Sequence, residues 1–265
     1  MSRGTNLSGG FKIFSSLTKL KAEVKKNDIR LIDLKFTDFL GKWHHLTVPV
    51  SSLDNKLFTE GLGFDGSNFA GMKTVELGDL SLVPDLSTGF VDPFSEIPTI
   101  SFICDIVDAE SKKPFPRDPR YIATKANDYM RKTGIADLSL WGPEFEYYIF
   151  DEVQLGMSSM NFGYQIVPCE GEGSGGFGLK TKGGYHALPP EDAIAGVRDT
   201  TVTLLEAAGI PIKYHHHEVG GHGQVGGTVE QRLDQPGHQL QSFFIAQLVI
   251  EQTGIGDDLC AAGGV

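Results

Sequence analysis

The sequence predicts an α+β protein with two sheet-bearing units, and three observations carry this. Strand signals at residues 32–36, 43–48, 80–83 and 99–107 surround one amphipathic helical stretch, as in a small mixed sheet with a helix across it. A stretch rich in proline and charge, residues 112–119, then interrupts the chain as domain boundaries do. Beyond it a helix leads into a strand dense in aromatic residues, 141–151, which opens a second sheet.

The elements follow in order. Residues 1–13 are rich in Ser and Gly and read as loose. Between residues 15 and 26, Leu17, Leu20 and Val24 recur at helical spacing among lysines. Ile32, Leu34 and Phe36 alternate with Asp33, Lys35 and Thr37, the pattern of a half-buried strand. Phe39-Leu40-Gly41-Lys42 turns the chain into the 43–48 strand, and residues 51–61 form a short helix ended by glycine. Asp118-Pro119 opens the next helix as N-cap and first helical residue. Ile122, Ala126 and Tyr129 give that helix an inward face, and Gly134 closes it. Residues 154–184 read as a long mobile loop holding Gly171, Gly173, Gly175, Gly176 and Gly178. Pro189-Pro190-Glu191-Asp192 starts a further helix, with Ile194, Val197, Thr201, Leu204, Leu205 and Ala208 inward and Gly209 closing it. A strand at 210–214 runs into His215-His216-His217-Glu218.

The chain has 265 residues, enough for one large or two ordinary domains. Its formal charge of −11 argues against a nucleic-acid or anionic-membrane surface and favours a protein that holds cations. No apolar run approaches the roughly 20 residues that span a bilayer, and no secretory signal is visible, so a cytoplasmic protein is expected. Cys104, Cys169 and Cys260 are odd in number and widely spaced, which suits free thiols in a reducing compartment.

The chemistry starts in Trp141-Gly-Pro-Glu144-Phe-Glu146. On a strand, Glu144 and Glu146 point to the same face. Two such carboxylates either face water on an edge strand or gather on a hard divalent cation, which relieves their repulsion. His215-His216-His217-Glu218, with His222 nearby, invites a zinc reading. Three successive histidines on a strand alternate faces, however, so at most two converge, and no HExxH helix pattern is present. The alternative is that these rings pack and hydrogen-bond in the core. Phe64-Asp65-Gly66-Ser67-Asn68 alone is an ordinary turn, and Lys182-Gly183-Gly184-Tyr185 precedes the double proline.

Taken together, Gly-Pro-Glu144-Phe-Glu146, Lys-Gly-Gly-Tyr185 and His-His-His-Glu218-Val resemble the first half of a type I glutamine synthetase. Asp33-Leu-Lys-Phe-Thr-Asp38 with Gly41-Lys42, the Asp65-Gly-Ser loop, and Arg117-Asp118-Pro119-Arg120 are similar to that family's upstream motifs. The resemblance implies an N-terminal β-grasp-like domain over residues 15–110 and a partial catalytic α/β sheet domain over 111–225, with an atypical tail at 226–265. It implies ATP-dependent ligation of ammonia to L-glutamate through γ-glutamyl phosphate, with Mg²⁺ or Mn²⁺. It also implies a homo-oligomer of two stacked six-membered rings, in which the Asp loop reaches a neighbouring subunit's site. On that resemblance Glu146 and Glu218 match ligands of one ion and Glu144 a ligand of the other. Asp65 matches the base that takes a proton from ammonium, with Tyr185 and Glu218 beside it.

The pattern then breaks. Where the family has a third carboxylate after Gly-Gln-x, this chain has Gly226. The Asn-Gly-Ser-Gly-Met-His stretch and the substrate-gripping arginines do not follow. The tail holds Gln231, Gln235, Gln239, Gln241, Gln247 and Gln252 and an amphipathic candidate at 240–250. A changed reading frame at or after Val225, or a truncated relative, accounts for this, and impaired turnover follows. Two other readings stand beside the ligase: a non-catalytic family-like subunit, and a γ-glutamyl ligase using another amine. Translating the gene past the Val225 codon in its other frames is expected to restore a Glu at the next position and a Gly-Ser-Gly-Met-His stretch downstream. Nonsense in every frame refutes the frame change.

Overall fold

The computed structural model describes residues 14–233 apart from 70, 72–77, 94, 142–143, 158–159, 161, 169, 171–177, 208–209, 211, 222–223 and 230. The loose start, Cys169, Cys260, Gly142-Pro143, the glycines at 171–176, Ala208, Gly209, His222 and the helix expected at 240–250 lie outside the described residues. The chain divides into two compact units, the first holding residues up to Leu140 and the second centred on Trp141–Glu206 and Ile210–Gln231. Among the described residues no helix is long and apolar enough to cross a membrane.

In the first unit, α1 (Leu17–Lys26) is capped by the Ser16 side chain, which accepts from the Lys19 amide. Strands β1 (Leu31–Thr37), β2 (Trp43–Pro49), β3 (Leu62–Asp65), β4 (Asp79–Pro84), β5 (Phe90–Val91) and β6 (Thr99–Asp108) form one sheet in the order β2-β1-β6-β4-β3, with β5 on β6. The central pair β1 and β6 is parallel, and the other pairings are antiparallel. Helix α2 (Asn55–Thr59) is capped by Asp54, and Gly61 follows at φ +76° with the Leu82 carbonyl oxygen 2.5 Å from where a Cβ would sit. The core collects Leu20, Ile32, Leu34, Phe36, Leu82 and Phe102 on one face of the sheet.

β1 is buried on both faces rather than half-buried. The alternating polar residues are not turned to water. Lys35 Nζ lies 2.7 Å from Asp33 and 3.7 Å from Asp92, and Asp33 also accepts from the Thr47 hydroxyl at 2.7 Å and meets His45 Nδ1 at 2.7 Å. Burial pushes the Asp33 carboxyl up, but Lys35, His45 and Thr47 outweigh it and hold it below the usual range.

Helix α3 (Pro119–Thr133) begins at Asp118 and ends at Gly134, which takes the left-handed conformation at φ +69°. Its expected inward face is a correction: Ile122, Ala126 and Tyr129 are exposed, Tyr129 by 67%. The buried residues of the helix are Arg120 and Asn127. Arg120 is drawn inward because Nε meets Asp105 at 2.8 Å and Nη2 meets Asp85 at 2.7 Å.

The second unit follows β7 (Ser139–Trp141). The aromatic stretch expected as one strand is two, β8 (Glu144–Tyr148) and β9 (Phe150–Met157). Half of the expected loop is strand as well. β9 pairs antiparallel with β10 (Phe162–Pro168), setting Val153 opposite Ile166 and Leu155 opposite Tyr164. These residues alternate with polar or small ones, a period-two signal that the neighbouring glycines masked. Helix α4 spans Ala195–Ala207, three residues later than the Pro-Pro-Glu-Asp start implied, because the Asp192 carboxylate is taken by Arg198 instead of capping the helix. Its expected inward residues Ile194, Val197, Thr201, Leu204 and Leu205 are buried. Strands β11 (Ile212–His217) and β12 (Gln224–Val229) complete a three-stranded antiparallel sheet in the order β11-β12-β8, and β13 (Gln231–Leu233) follows.

Asp118 carries a pH prediction. Its carboxylate accepts from the Ile106 and Arg120 amides, both at 3.0 Å. Burial is the larger influence and pushes its pKa up to about 6. The folded value thus exceeds the unfolded one of about 4, so the stabilising share is full below about pH 4 and is lost as pH rises through about 6. Asp118→Asn keeps a neutral cap. Denaturant melts are expected to show wild type losing on the order of 3 kcal/mol relative to the variant between pH 4 and 7. A constant difference between the two across that range refutes the assignment.

Candidate active site

The second unit's sheet sets its chemistry by register. Glu146 pairs with Gly226, and Gly226 pairs with His216 on β11. Glu144 pairs with Thr228, and Thr228 with Tyr214. Directly paired residues of antiparallel strands share a face, so Glu144, Glu146, Tyr214 and His216 belong to one side of the sheet. Glu144 and Glu146 are exposed there.

The opposite side carries Tyr147, His215 and His217 and is covered by α4. Tyr147 interacts with Thr201 and Arg198, and burial pushes its hydroxyl pKa up. His215 Nε2 lies 3.3 Å from Asp199. His217 is fully buried, with Nε2 on Glu170 and Nδ1 2.6 Å from the Glu218 carbonyl oxygen. The three histidines therefore divide between two faces, as strand alternation requires, and make no joint zinc site.

Tyr185 and Glu218 are brought together around His216. The loop that carries Tyr185 is fastened to the end of β11: the Gly184 amide donates to Val219 O at 3.3 Å and the His186 amide to His217 O at 3.0 Å. The Tyr185 ring meets His216 edge-on at 5.2 Å between centroids, and His186 stacks on His216 at 4.6 Å. Glu218 Oε1 lies 3.4 Å from His216 Nε2. One patch thus holds a carboxylate, a phenol ring and two imidazoles beside the Glu146 row.

Asp65 belongs to the first unit, at the end of β3. Its Oδ1 accepts from the Ser67 amide at 2.9 Å and the Ser67 hydroxyl at 2.6 Å, and Oδ2 accepts from Asn68 at 2.9 Å. The Ser67 contacts come first in holding its carboxyl below the usual range, which keeps it anionic and makes it a weaker base.

The expected ligands Glu144, Glu146 and Glu218 are not gathered on one point. Among the described residues, the one group of His, Cys, Asp or Glu with ligand atoms all within 4.8 Å of one another is Glu170, Asp192 and His217. The first two were missed in the sequence. Glu170 abuts a glycine cluster and Asp192 resembles a helix cap, so neither advertises a buried partner.

An antiparallel sheet with carboxylates on its open side, joined in sequence to a mixed sheet crossed by a helix, defines an α+β protein of the β-grasp-plus-catalytic-sheet kind. The chain belongs to the glutamine synthetase family. Residues 28–109 match the glutamine synthetase β-grasp domain and residues 116–253 its catalytic domain, a match that runs beyond Val225. The chain is 40% identical over 205 residues to the glutamine synthetase of Azorhizobium caulinodans, covering 74% of this chain and 44% of that protein. It is 36% identical over 234 residues to the glutamine synthetase of Aquifex aeolicus, covering 86% and 49%. It is also 39% identical over 236 residues to the 3-hydroxylaminophenol mutase of Cupriavidus pinatubonensis, covering 84% and 50%. The fold is similar to that of a Plasmodium falciparum glutamine synthetase seen by cryo-EM, with a TM-score of 0.83 at 21% identity, covering 94% of this chain and 50% of that one. The chain spans about half the length of the relatives it matches.

Gly184 tests how the Tyr185 loop is seated. A Cβ there would lie 2.5 Å from Glu218 O and 2.5 Å from His217 Cε1. Gly184→Ala is expected to cost about 1–3 kcal/mol in denaturant unfolding, and to remove the Tyr185–His216 contact from NMR spectra. An unperturbed contact in a stable variant refutes this seating.

Proposed function

We propose that this chain carries part of a glutamate–ammonia ligase site. In that reaction the γ-carboxylate of L-glutamate attacks the γ-phosphorus of ATP, ADP leaves, and ammonia displaces phosphate from the resulting γ-glutamyl phosphate. What supports this most is membership of the glutamine synthetase family together with the convergence of Tyr185 and Glu218 on His216 beside the Glu146 row.

The residues divide the work. Tyr185 offers a π face and Glu218 a negative charge, a pairing that concentrates ammonium. Asp65 accepts the proton that ammonium gives up, supplied from a neighbouring protomer of a ring-shaped homo-oligomer. Glu146 and Glu218 hold one divalent ion and Glu144 contributes to a second. When bound, Mg²⁺ or Mn²⁺ neutralises charge on the transferred phosphoryl group. The oxygen donors suit such hard ions, but the set in this chain is incomplete: the carboxylates do not converge, and at the register position between Glu146 and His216 stands Gly226. Buried, free Cys104 fits a cytoplasmic location.

The Gly226 position favours a second reading, a non-catalytic subunit of the same family. The two are separated by a coupled assay of ATP consumption that depends on both glutamate and ammonia. The purified chain is expected to turn over roughly 10²-fold or more below a complete relative, the scale on which loss of one charge-stabilising group acts. Ordinary turnover refutes the non-catalytic reading. Gly226→Glu is expected to tighten Mn²⁺ binding by roughly tenfold or more in titration calorimetry. Unchanged affinity refutes the placement of the ions on this face.

A further inference from the structure

We propose that Glu170, Asp192 and His217 form a separate, buried site for one divalent cation of Zn²⁺ type, on the α4-covered side of the second unit's sheet. The three residues come from three places: the end of β10, the turn before α4 and the last residue of β11. All are buried, at 2%, 4% and 0% exposure, and each offers a ligand atom within 4.8 Å of the others.

Each candidate ligand already has its other atom held. Glu170 Oε2 accepts from the Ala193 amide at 2.8 Å. Asp192 Oδ2 is taken by the Arg198 guanidinium. His217 Nδ1 donates to the Glu218 carbonyl oxygen, which fixes the tautomer and leaves the Nε2 lone pair directed at Glu170 Oε1. Metal-binding imidazoles and carboxylates are oriented in this way by partners on their far side.

A lone pair facing a carboxylate needs a positive centre between them. Two candidates exist, a proton and a metal ion. Two carboxylates and Arg198 sum to −1 around a neutral imidazole; a proton brings this to 0 and a divalent ion to +1, so charge counting does not favour the ion. The orphaned acceptor does. Asp192 Oδ1 is buried and has no hydrogen-bond partner. A proton on Nε2 satisfies Glu170 and leaves that oxygen unpaired, a costly state for a buried acceptor, whereas a cation draws on all three residues. One nitrogen and two oxygens, with room for a fourth donor, is a donor set that suits Zn²⁺ better than Mg²⁺.

Such an ion is structural. The His217 backbone carbonyl accepts from the His186 amide, and Glu218 follows directly. Fastening His217 from behind therefore seats the Tyr185 loop and Glu218 on the open side. The site stands whether or not the ligase reading holds, because none of its three residues lies on that open side.

The test uses the full chain and Zn²⁺ alone. The protein is loaded with Zn²⁺, dialysed, and assayed for bound metal, together with Glu170→Gln, Asp192→Asn and the open-face double variant Glu144→Gln/Glu146→Gln. One retained Zn²⁺ per chain is expected in wild type and in the double variant, and less than a tenth of that in either buried variant. X-ray absorption is expected to show nitrogen and oxygen neighbours at about 2.0–2.2 Å without sulfur. Zn²⁺ is also expected to raise Tm in wild type and not in Glu170→Gln or Asp192→Asn, which keeps the test informative if one variant folds poorly. Wild type free of metal after dialysis, retention unaffected in both buried variants, or loss in the open-face double variant each overturns the proposal.

Discussion

Strand alternation across β11 is the constraint on which the second unit rests. Because His215, His216 and His217 are consecutive on one strand, they cannot act together. His215 and His217 turn towards α4, where Asp199 and Glu170 meet them, and His216 turns to the open side, where Tyr185, His186 and Glu218 surround it. The same register places Gly226 in the row between Glu146 and His216. One pairing scheme thus separates a buried, charge-paired side from an open side that carries the ligase-like residues.

Both units bury charge, and both do so in pairs. Lys35 lies among Asp33 and Asp92, and Arg120 lies between Asp85 and Asp105. Glu170 takes His217 and Asp192 takes Arg198. A buried charge without a partner is strongly destabilising, so these pairs specify where their strands and helices sit even where they add little net stability. They also explain why alternating polar residues failed as a guide to exposure. Asp33 and Lys35 have the spacing of a water-facing row and are nonetheless inside.

Much of the fold was legible locally. The first unit's strands, the Asp118 cap with Pro119 behind it, and the Gly134 stop all follow from residue spacing and backbone preference. The separated motifs pointed to the family, and Tyr185 and Glu218 do meet. Other features depended on partners distant in sequence. Tyr129 has helical spacing with Ile122 but is exposed, because Arg120 is drawn in by Asp85 and Asp105, 35 and 15 residues away. Asp192 looked like a cap and is instead bound to Arg198. β10 was hidden by the glycines that follow it, although its own residues alternate.

The sequence by itself determined the strands of the first unit, the caps, the family and the identity of the residues that carry chemistry, since each rests on spacing, backbone preference or motif order. Only the tertiary structure decided which of those residues share a face and which charges are neutralised inside. Sheet register and buried ion pairs join segments that sequence distance does not relate. For that reason Glu170, 47 residues before His217, emerged only once the chain was folded.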